Sequence, residues 1–216
     1  MGGGGADEVF RGRVGGVEKP EFVDYLFVGE GPDKGKAYEL AVKLQEACSK
    51  ETVVVVDPKP CNYELPPNMS YVQMGVVEYL GGRSPASVRR IRDDFAFHFV
   101  AFGEVGKSPA AAREFAVHAL TDILSGRPPS GLPDTKGNSR KYAKAAHRAL
   151  TQGGEWTLLH SAGLDPQRYV PVLKEAGFRV QQQKLTEQEV RDSGSKQARE
   201  TMKMGMDIYR TTATKT

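Results

Sequence analysis

Apolar and polar positions follow two rhythms along the chain. A short apolar run, Tyr25-Leu26-Phe27-Val28, ends in Gly29-Glu30-Gly31-Pro32-Asp33 and reads as a strand followed by a tight turn. Behind it, Ala37, Leu40, Ala41, Leu44, Ala47 and Cys48 keep the i, i+3, i+4, i+7 spacing of one buried helical face, with Asp33 in the N-cap region. Four consecutive valines, Val53 to Val56, precede Asp57-Pro58. Such an unbroken run suits a strand buried on both faces, as in a parallel sheet covered by helices. Residues 69–74 predict a third strand after the Pro66-Pro67 turn, and a further apolar segment, Asp94 to Val100, lies within residues 88–102.

The second half repeats the rhythm. Ala112, Phe115, Ala116, Ala119, Leu120, Ile123 and Leu124 make one helical stripe, and residues 126–138 are a Gly/Pro loop. Tyr142, Ala145, Ala146, Ala149 and Leu150 make another stripe, which Gly153-Gly154 is expected to end. Trp156 to His160 predicts a strand, Asp165-Pro166 a helix start, Gly177 its close, and Phe178 to Val180 the next strand. Residues 186–200 are polar and expected to be mobile. Met202, Met204, Met206 and Ile208 alternate with Lys203, Asp207 and Tyr209, which predicts a final strand with its methionines in the core. Strands alternating with helices imply an α/β fold with a mainly parallel sheet, whose ligands bind outside the carboxyl ends of the strands.

Composition narrows the class. The chain has 216 residues, 39% hydrophobic and 26% charged, which is ordinary for a globular protein. At this length roughly 70% of the unfolded surface is buried, so no disulfide or metal staple is required. Met1 and four glycines open a Gly- and charge-rich segment over residues 1–20, read as flexible, and residues 21–216 are read as one domain. No apolar run approaches the roughly 20 residues of a membrane span, and no secretory signal is visible, so a cytoplasmic protein that does not engage membranes is expected. The net charge of +3 does not by itself demand a nucleic-acid partner. Cys48 and Cys61 sit in no metal-binding spacing, and the four histidines, His98, His118, His147 and His160, are dispersed, so no structural or catalytic metal is expected.

Candidate chemistry gathers at the predicted carboxyl edge. Gly29-Glu30-Gly31, after a strand and before a helix, permits a tight turn and close approach of a ligand to the backbone, and the helix start beyond it favours a negative group. A phosphate-binding P-loop is incomplete, because Glu30 stands at its opening glycine and Ala37 at its hydroxyl position. The dinucleotide fingerprint is broken by Lys34 at its third glycine, which disfavours a nicotinamide-dependent dehydrogenase. Asp57 ends the second strand 26 residues after Gly31, where a carboxylate accepts hydrogen bonds from ribose hydroxyls; as a bare turn residue it would only end the strand.

With these features the chain resembles class I S-adenosylmethionine-dependent methyltransferases from about Tyr25 to Arg210. Tyr25 to Gly31 is similar to that family's first strand and glycine loop, and Val55-Val56-Asp57-Pro58 to its ribose-binding acid. Tyr71-Val72-Gln73-Met74-Gly75 lies where the family contacts adenine, and Ala149 to Trp156 resembles its helix, glycine turn and fifth strand. Leu173-Lys174-Glu175-Ala176-Gly177-Phe178 resembles the late helix and sixth strand. The resemblance implies a Rossmann-like, seven-stranded, mostly parallel sheet with an antiparallel last strand. It implies S-adenosylmethionine as cofactor, held by Gly29, Glu30, Gly31, Asp57, Pro58, Met74 and Gly75. Three departures stand out. Phe27 occupies the place of an acid, Met74 and Gly75 replace the acid after the third strand, and Asp94-Phe95-Ala96-Phe97 keeps the acid and aromatic of the fourth-strand motif without its prolines.

Methyl transfer depends chiefly on alignment, because the sulfonium is already activated. Asp94 is the candidate to orient an amine or accept a proton, Phe97 to pack on the acceptor, and His160 to act as a base toward a hydroxyl. The acceptor implied is a nucleophile in a small molecule, a protein or a nucleic acid. A noncatalytic binding or scaffold module on the same fold is the alternative reading. Lys136, Arg140, Lys141, Lys144 and Arg148 form a basic stretch, read as either a nucleic-acid contact or, in preference, a solvated helix face.

Overall fold

Four valines in a row leave a strand with no polar face, and β2 (Val53–Asp57) is buried along its whole length. A computed structural model of the protein describes residues 20–31, 33–96, 135–161 and 169–216. In it β2 lies between β1 (Val23–Val28) and β3 (Met69–Gln73), parallel to both. On the other side β1 pairs in parallel with β4 (Val88–Asp94), and β4 with β5 (Leu150–Ser161). β7 (Ile208–Lys215) then runs antiparallel between β5 and β6 (Phe178–Lys184). The seven strands therefore lie in the order β3-β2-β1-β4-β5-β7-β6, as the expected mostly parallel sheet with an antiparallel last strand.

Alternation within the strands sends successive side chains to opposite faces. Leu26, Val28, Val54, Val56, Ile91, Trp156 and Leu158 meet α2 (Val76–Gly81), α3 (Thr135–Ala149) and α4 (Tyr169–Glu175) in the largest core. Phe27, Val53, Val55 and Tyr71 point the other way and pack on Ala37 and Ala41 of α1 (Lys36–Glu46). Farther along that face Phe95, Leu159 and Ile208 pack under α5 (Glu187–Ser193) and α6 (Lys196–Lys203). Inside the largest core the fully buried Asp93 accepts a 2.8 Å hydrogen bond from the Tyr142 hydroxyl, which supplies the partner that a buried carboxylate requires.

Several expectations are corrected. The fourth strand precedes the apolar segment: β4 alternates Val88, Ile91 and Asp93 inward against Arg90, Arg92 and Asp94 on the α1 side, and its charged positions masked the strand. Gly153-Gly154 does not end a helix but sits within β5. There Gly153 has φ +73°, the β4–β5 register shifts, and a Cβ on Gly154 would lie 2.9 Å from the Arg89 carbonyl oxygen; this is a bulge. Residues 186–200 are not a mobile tract but carry α5 and the start of α6. The methionine alternation is not a strand: Met202 lies in α6, Met204 is 65% exposed after it, and β7 starts only at Ile208. α2 went unread because it has only six residues. The stripe over 112–124 and the helix start at Asp165-Pro166 lie outside the described residues.

Thr186 starts α5 with a reciprocal capping box: its hydroxyl accepts from the Glu189 N–H, and the Glu189 carboxylate accepts from the Thr186 N–H at 2.8 Å. Thr186→Ala is expected to lower stability by about 1 kcal/mol, read as a shift in urea midpoint with an unchanged m-value. An unchanged midpoint would mean that α5 contributes nothing to the folded state.

Candidate functional site

The strand order reverses between β1 and β4, and the chains leaving their carboxyl ends must part there. Gly29 makes the first turn at φ +71°, with its N–H donated to the Val56 carbonyl at 3.2 Å. A Cβ on Gly29 would stand 2.7 Å from the Cβ of Ala96, the residue two places after β4. Glycine is therefore required twice, for its φ and for the closeness of the second chain. Gly31 follows at φ +87°, with open space where a Cβ would stand.

Asp57 ties this turn to β2. It is 5% exposed, and its Oδ2 accepts the Gly31 N–H at 3.1 Å while its Oδ1 accepts the Lys59 N–H at 2.8 Å. The Tyr71 hydroxyl closes the same corner, donating to the Lys59 carbonyl at 3.0 Å. Gln73, opposite Asp57 in register, donates to the Pro58 carbonyl at 3.4 Å. Met74 follows, and Gly75 is the N-cap of α2, again with open space where a Cβ would stand. Gly29, Glu30, Gly31, Asp57, Pro58, Met74 and Gly75 therefore share one edge of the sheet.

Glu30 caps α1 in place of the expected Asp33. Both of its carboxylate oxygens accept the Ala37 N–H, at 2.8 and 3.0 Å, from a position seven residues earlier. Gly35 makes room for it, since a Cβ there would lie 2.8 Å from Glu30 Cδ. Burial pushes the Glu30 carboxyl up from its ordinary 4.5 to about 7, against the pull of the Ala37 N–H; the Asp94 charge raises it further and Arg92 lowers it. The role of Glu30 was hidden because it caps α1 from the preceding strand's turn, outside the three-residue spacing of a capping box.

Asp94, the last residue of β4, accepts from Arg92 Nε at 3.1 Å and from Arg92 Nη2 at 3.2 Å, a forked ion pair. The second amino group of that fork also donates to the Ser193 carbonyl at 2.6 Å, which fixes α5 over the site. Arg92 was not singled out in the sequence, although its position two residues before Asp94 places both on one face of the strand. Phe27, where an acid was sought, lies in the apolar core under α1.

The structure does not bring His160 to Asp94. His160 is 2% exposed on the face covered by α4, with Nε2 2.8 Å from the Thr211 hydroxyl and its ring between Tyr169 and Tyr209. Burial lowers its pKa from 6.5 to about 4, making it a weak base. Phe97 lies outside the described residues. In the basic stretch, Arg140 pairs with Glu175 at 2.9 Å and Arg148 donates to the Leu80 and Gly81 carbonyls at the end of α2; Lys141 and Lys144 are solvated. A cleft of about 550 Å³ lies on the sheet face between α1 and α5, lined by Tyr25, Phe27, Arg90, Arg92, Thr157 and Arg210. Among the described residues no cluster of His, Cys, Asp and Glu is arranged to hold a metal, and no helix is long and apolar enough to cross a membrane.

This architecture is the fold of class I S-adenosylmethionine-dependent methyltransferases. Solved structures share it across nearly the whole chain. A 16S rRNA (adenine(1408)-N(1))-methyltransferase from Catenulisporales acidiphilia, a mutant crystallised with cosubstrate SAM, is 13% identical with a TM-score of 0.50 over 89% of this chain and 85% of its own. The 16S rRNA methyltransferase KamB is 13% identical with a TM-score of 0.53 over 91% and 89%. The [4+2]-cyclase SpnF is 10% identical with a TM-score of 0.51 over 90% and 74%. At these identities the likeness is one of fold. No protein-family model matches the chain, and no curated protein matches it in sequence.

Because the folded chain holds the Glu30 proton more tightly than the unfolded chain, this group's contribution to stability is full below pH 4.5 and lost as the pH rises to about 7. The loss is at most about 3 kcal/mol. Glu30→Gln keeps an acceptor for the Ala37 N–H without the charge, so the ligand-free variant is expected to be more stable than the parent at pH 8 and equal to it near pH 4.5. Urea titrations at both pH values check this, and a less stable variant at pH 8 would contradict it. His160 acts with the opposite sign, costing stability as the pH falls from 6.5 toward 4, and cancels in the comparison.

Proposed function

We propose that the protein is a methyltransferase that uses S-adenosylmethionine. The observation that carries this reading is the Gly31–Asp57 hydrogen bond at the strand-order reversal, which joins a glycine turn to a ribose-type acid on one sheet edge. It is supported by the fold shared with a methyltransferase crystallised with that cosubstrate. The residues present fit the cofactor. Each Asp57 oxygen spends one acceptor site on a backbone N–H and keeps a second. Gly31 and Gly75 leave backbone uncovered where a ligand can lie close.

In this reading Gly29, Glu30 and Gly31 take the amino-acid end of the cofactor, Asp57 and Pro58 its ribose, and Met74 and Gly75 its base. When bound, the cofactor would supply an electrophilic methyl group on a cationic sulfur to a nucleophilic acceptor, which would have a proton to lose. Asp94, held by Arg92, orients the acceptor or receives that proton. His160 takes no part, because it is turned into the core on the opposite face.

A second reading, a binding module without catalysis, is favoured by the engagement of Asp94 with Arg92 and by Phe27 in place of an acid. It predicts cofactor binding with no methyl transferred to any acceptor. Transfer of a labelled methyl group from S-adenosylmethionine to an acceptor separates the readings; calorimetry with S-adenosylmethionine, S-adenosylhomocysteine and NAD tests what they share, and binding of neither sulfur compound at millimolar concentration would overturn both.

Asp57→Ala is expected to weaken S-adenosylhomocysteine binding by about 10–150-fold, the worth of a charge-assisted hydrogen bond. Asp57→Asn should lose less, since its amide oxygen still accepts. Because Asp57 also anchors Gly31 and Lys59, the alanine variant should unfold at lower temperature as well. A lower melting temperature with unchanged affinity would leave Asp57 a structural residue only.

A further inference from the structure

Glu30 and Asp94 bring two carboxylates together at the carboxyl ends of β1 and β4, within electrostatic reach of each other. Their surroundings do not balance both charges. The forked pair of Arg92 is directed at Asp94, and its remaining bond goes to the Ser193 carbonyl. Glu30 is met by the Ala37 and Lys36 N–H groups at the start of α1 and, more weakly, by the Arg92 charge. Lys36, in the first turn of that helix, pairs with Glu39 at 2.6 Å. Tyr63, from the segment after β2, and Tyr71, from β3, lie within electrostatic reach of Glu30, and the buried Tyr63 hydroxyl has no hydrogen-bond partner among the described residues. Neither tyrosine carries positive charge. Among the described residues the edge therefore holds two carboxylates and one guanidinium, which is paired with Asp94, beside a glycine turn open to a ligand.

We propose that Glu30 and Asp94 form a charge-selective subsite that favours the cationic sulfonium of S-adenosylmethionine over the neutral sulfur of S-adenosylhomocysteine. The inference rests on the methyltransferase reading and adds to it a discrimination between cosubstrate and coproduct. Methyl transfer removes one positive charge from the sulfur, so the carboxylates attract the ligand before the reaction and lose that attraction after it. Glu30, unfavourably charged in the ligand-free protein, is what converts loss of the sulfonium into release of the product. As a group acting on binding rather than on the reacting atoms, Glu30 is a specificity-determining residue.

Calorimetry of the full chain with each ligand, between pH 5.5 and 7.5, tests this; in that window the ligands' α-amino groups stay mostly protonated. At pH 7.5 S-adenosylmethionine is expected to bind about tenfold more tightly than S-adenosylhomocysteine, a difference of about 1.4 kcal/mol. The ratio should shrink toward pH 5.5 as Glu30 takes up a proton, and in Glu30→Gln it should be about threefold or less and independent of pH. A purely structural cap would shift the melting temperature of that variant and leave the ratio alone. Equal affinities in the parent protein, or a ratio that neither pH nor Glu30→Gln alters, would overturn the subsite while leaving the methyltransferase reading intact. Binding of neither ligand to the parent protein would overturn both. The pH series on the parent decides the matter even if the variant does not fold.

Discussion

Gly29 has no space for a side chain because two chains leave the sheet at one point. β1 and β4 are neighbours whose connections depart to different places, and Ala96 crosses within 2.7 Å of where a Gly29 Cβ would stand. Gly29 also takes a positive φ, which starts the turn that delivers the Gly31 N–H to Asp57 and the Glu30 carboxylate to the first turn of α1. The edge where we place the cofactor is thus a consequence of how the strand order reverses, and its backbone donors are already engaged by the chain's own carboxylates.

The same engagement explains how the site reads without the family's usual residues. The place of the missing acid at Phe27 is filled by core packing under α1, with the Arg92 guanidinium over its ring. Negative charge is instead supplied one residue past the first glycine, by Glu30, and from the end of β4, by Asp94. Arg92 and the Ser193 carbonyl bind Asp94 to α5, so the segment between β6 and β7 bears on the site although it lies far from it in sequence.

What the sequence disclosed follows from how local each signal is. The four valines of β2, the apolar stripe of α1 and the Gly29–Gly31 turn are set by neighbours a few residues away, and they fall where expected, except that α1 ends at Glu46 and leaves Ala47 and Cys48 exposed beyond it. β4 was hidden because a strand with Arg90, Arg92 and Asp94 along one face lacks the apolar run that marks its neighbours. The methionine alternation misled because period two over a few residues does not outweigh the Ser195 cap that starts α6, whose hydroxyl accepts the Ala198 N–H at 3.2 Å. The Thr186-x-x-Glu189 pattern was present to be read. The reach of Glu30 to Ala37 and the placement of His160 depend on tertiary packing, which no local pattern encodes.

The central claim is that a ligand binds at the carboxyl edge joined by Gly31 and Asp57. Hydrogen–deuterium exchange with and without saturating S-adenosylhomocysteine tests it most directly. The account predicts slowed exchange in residues 29–37, 57–59 and 73–76, with the amino-edge strand ends unchanged. Protection confined instead to the cleft around Tyr25, Arg90 and Arg210, or no protection anywhere at saturation, would contradict it.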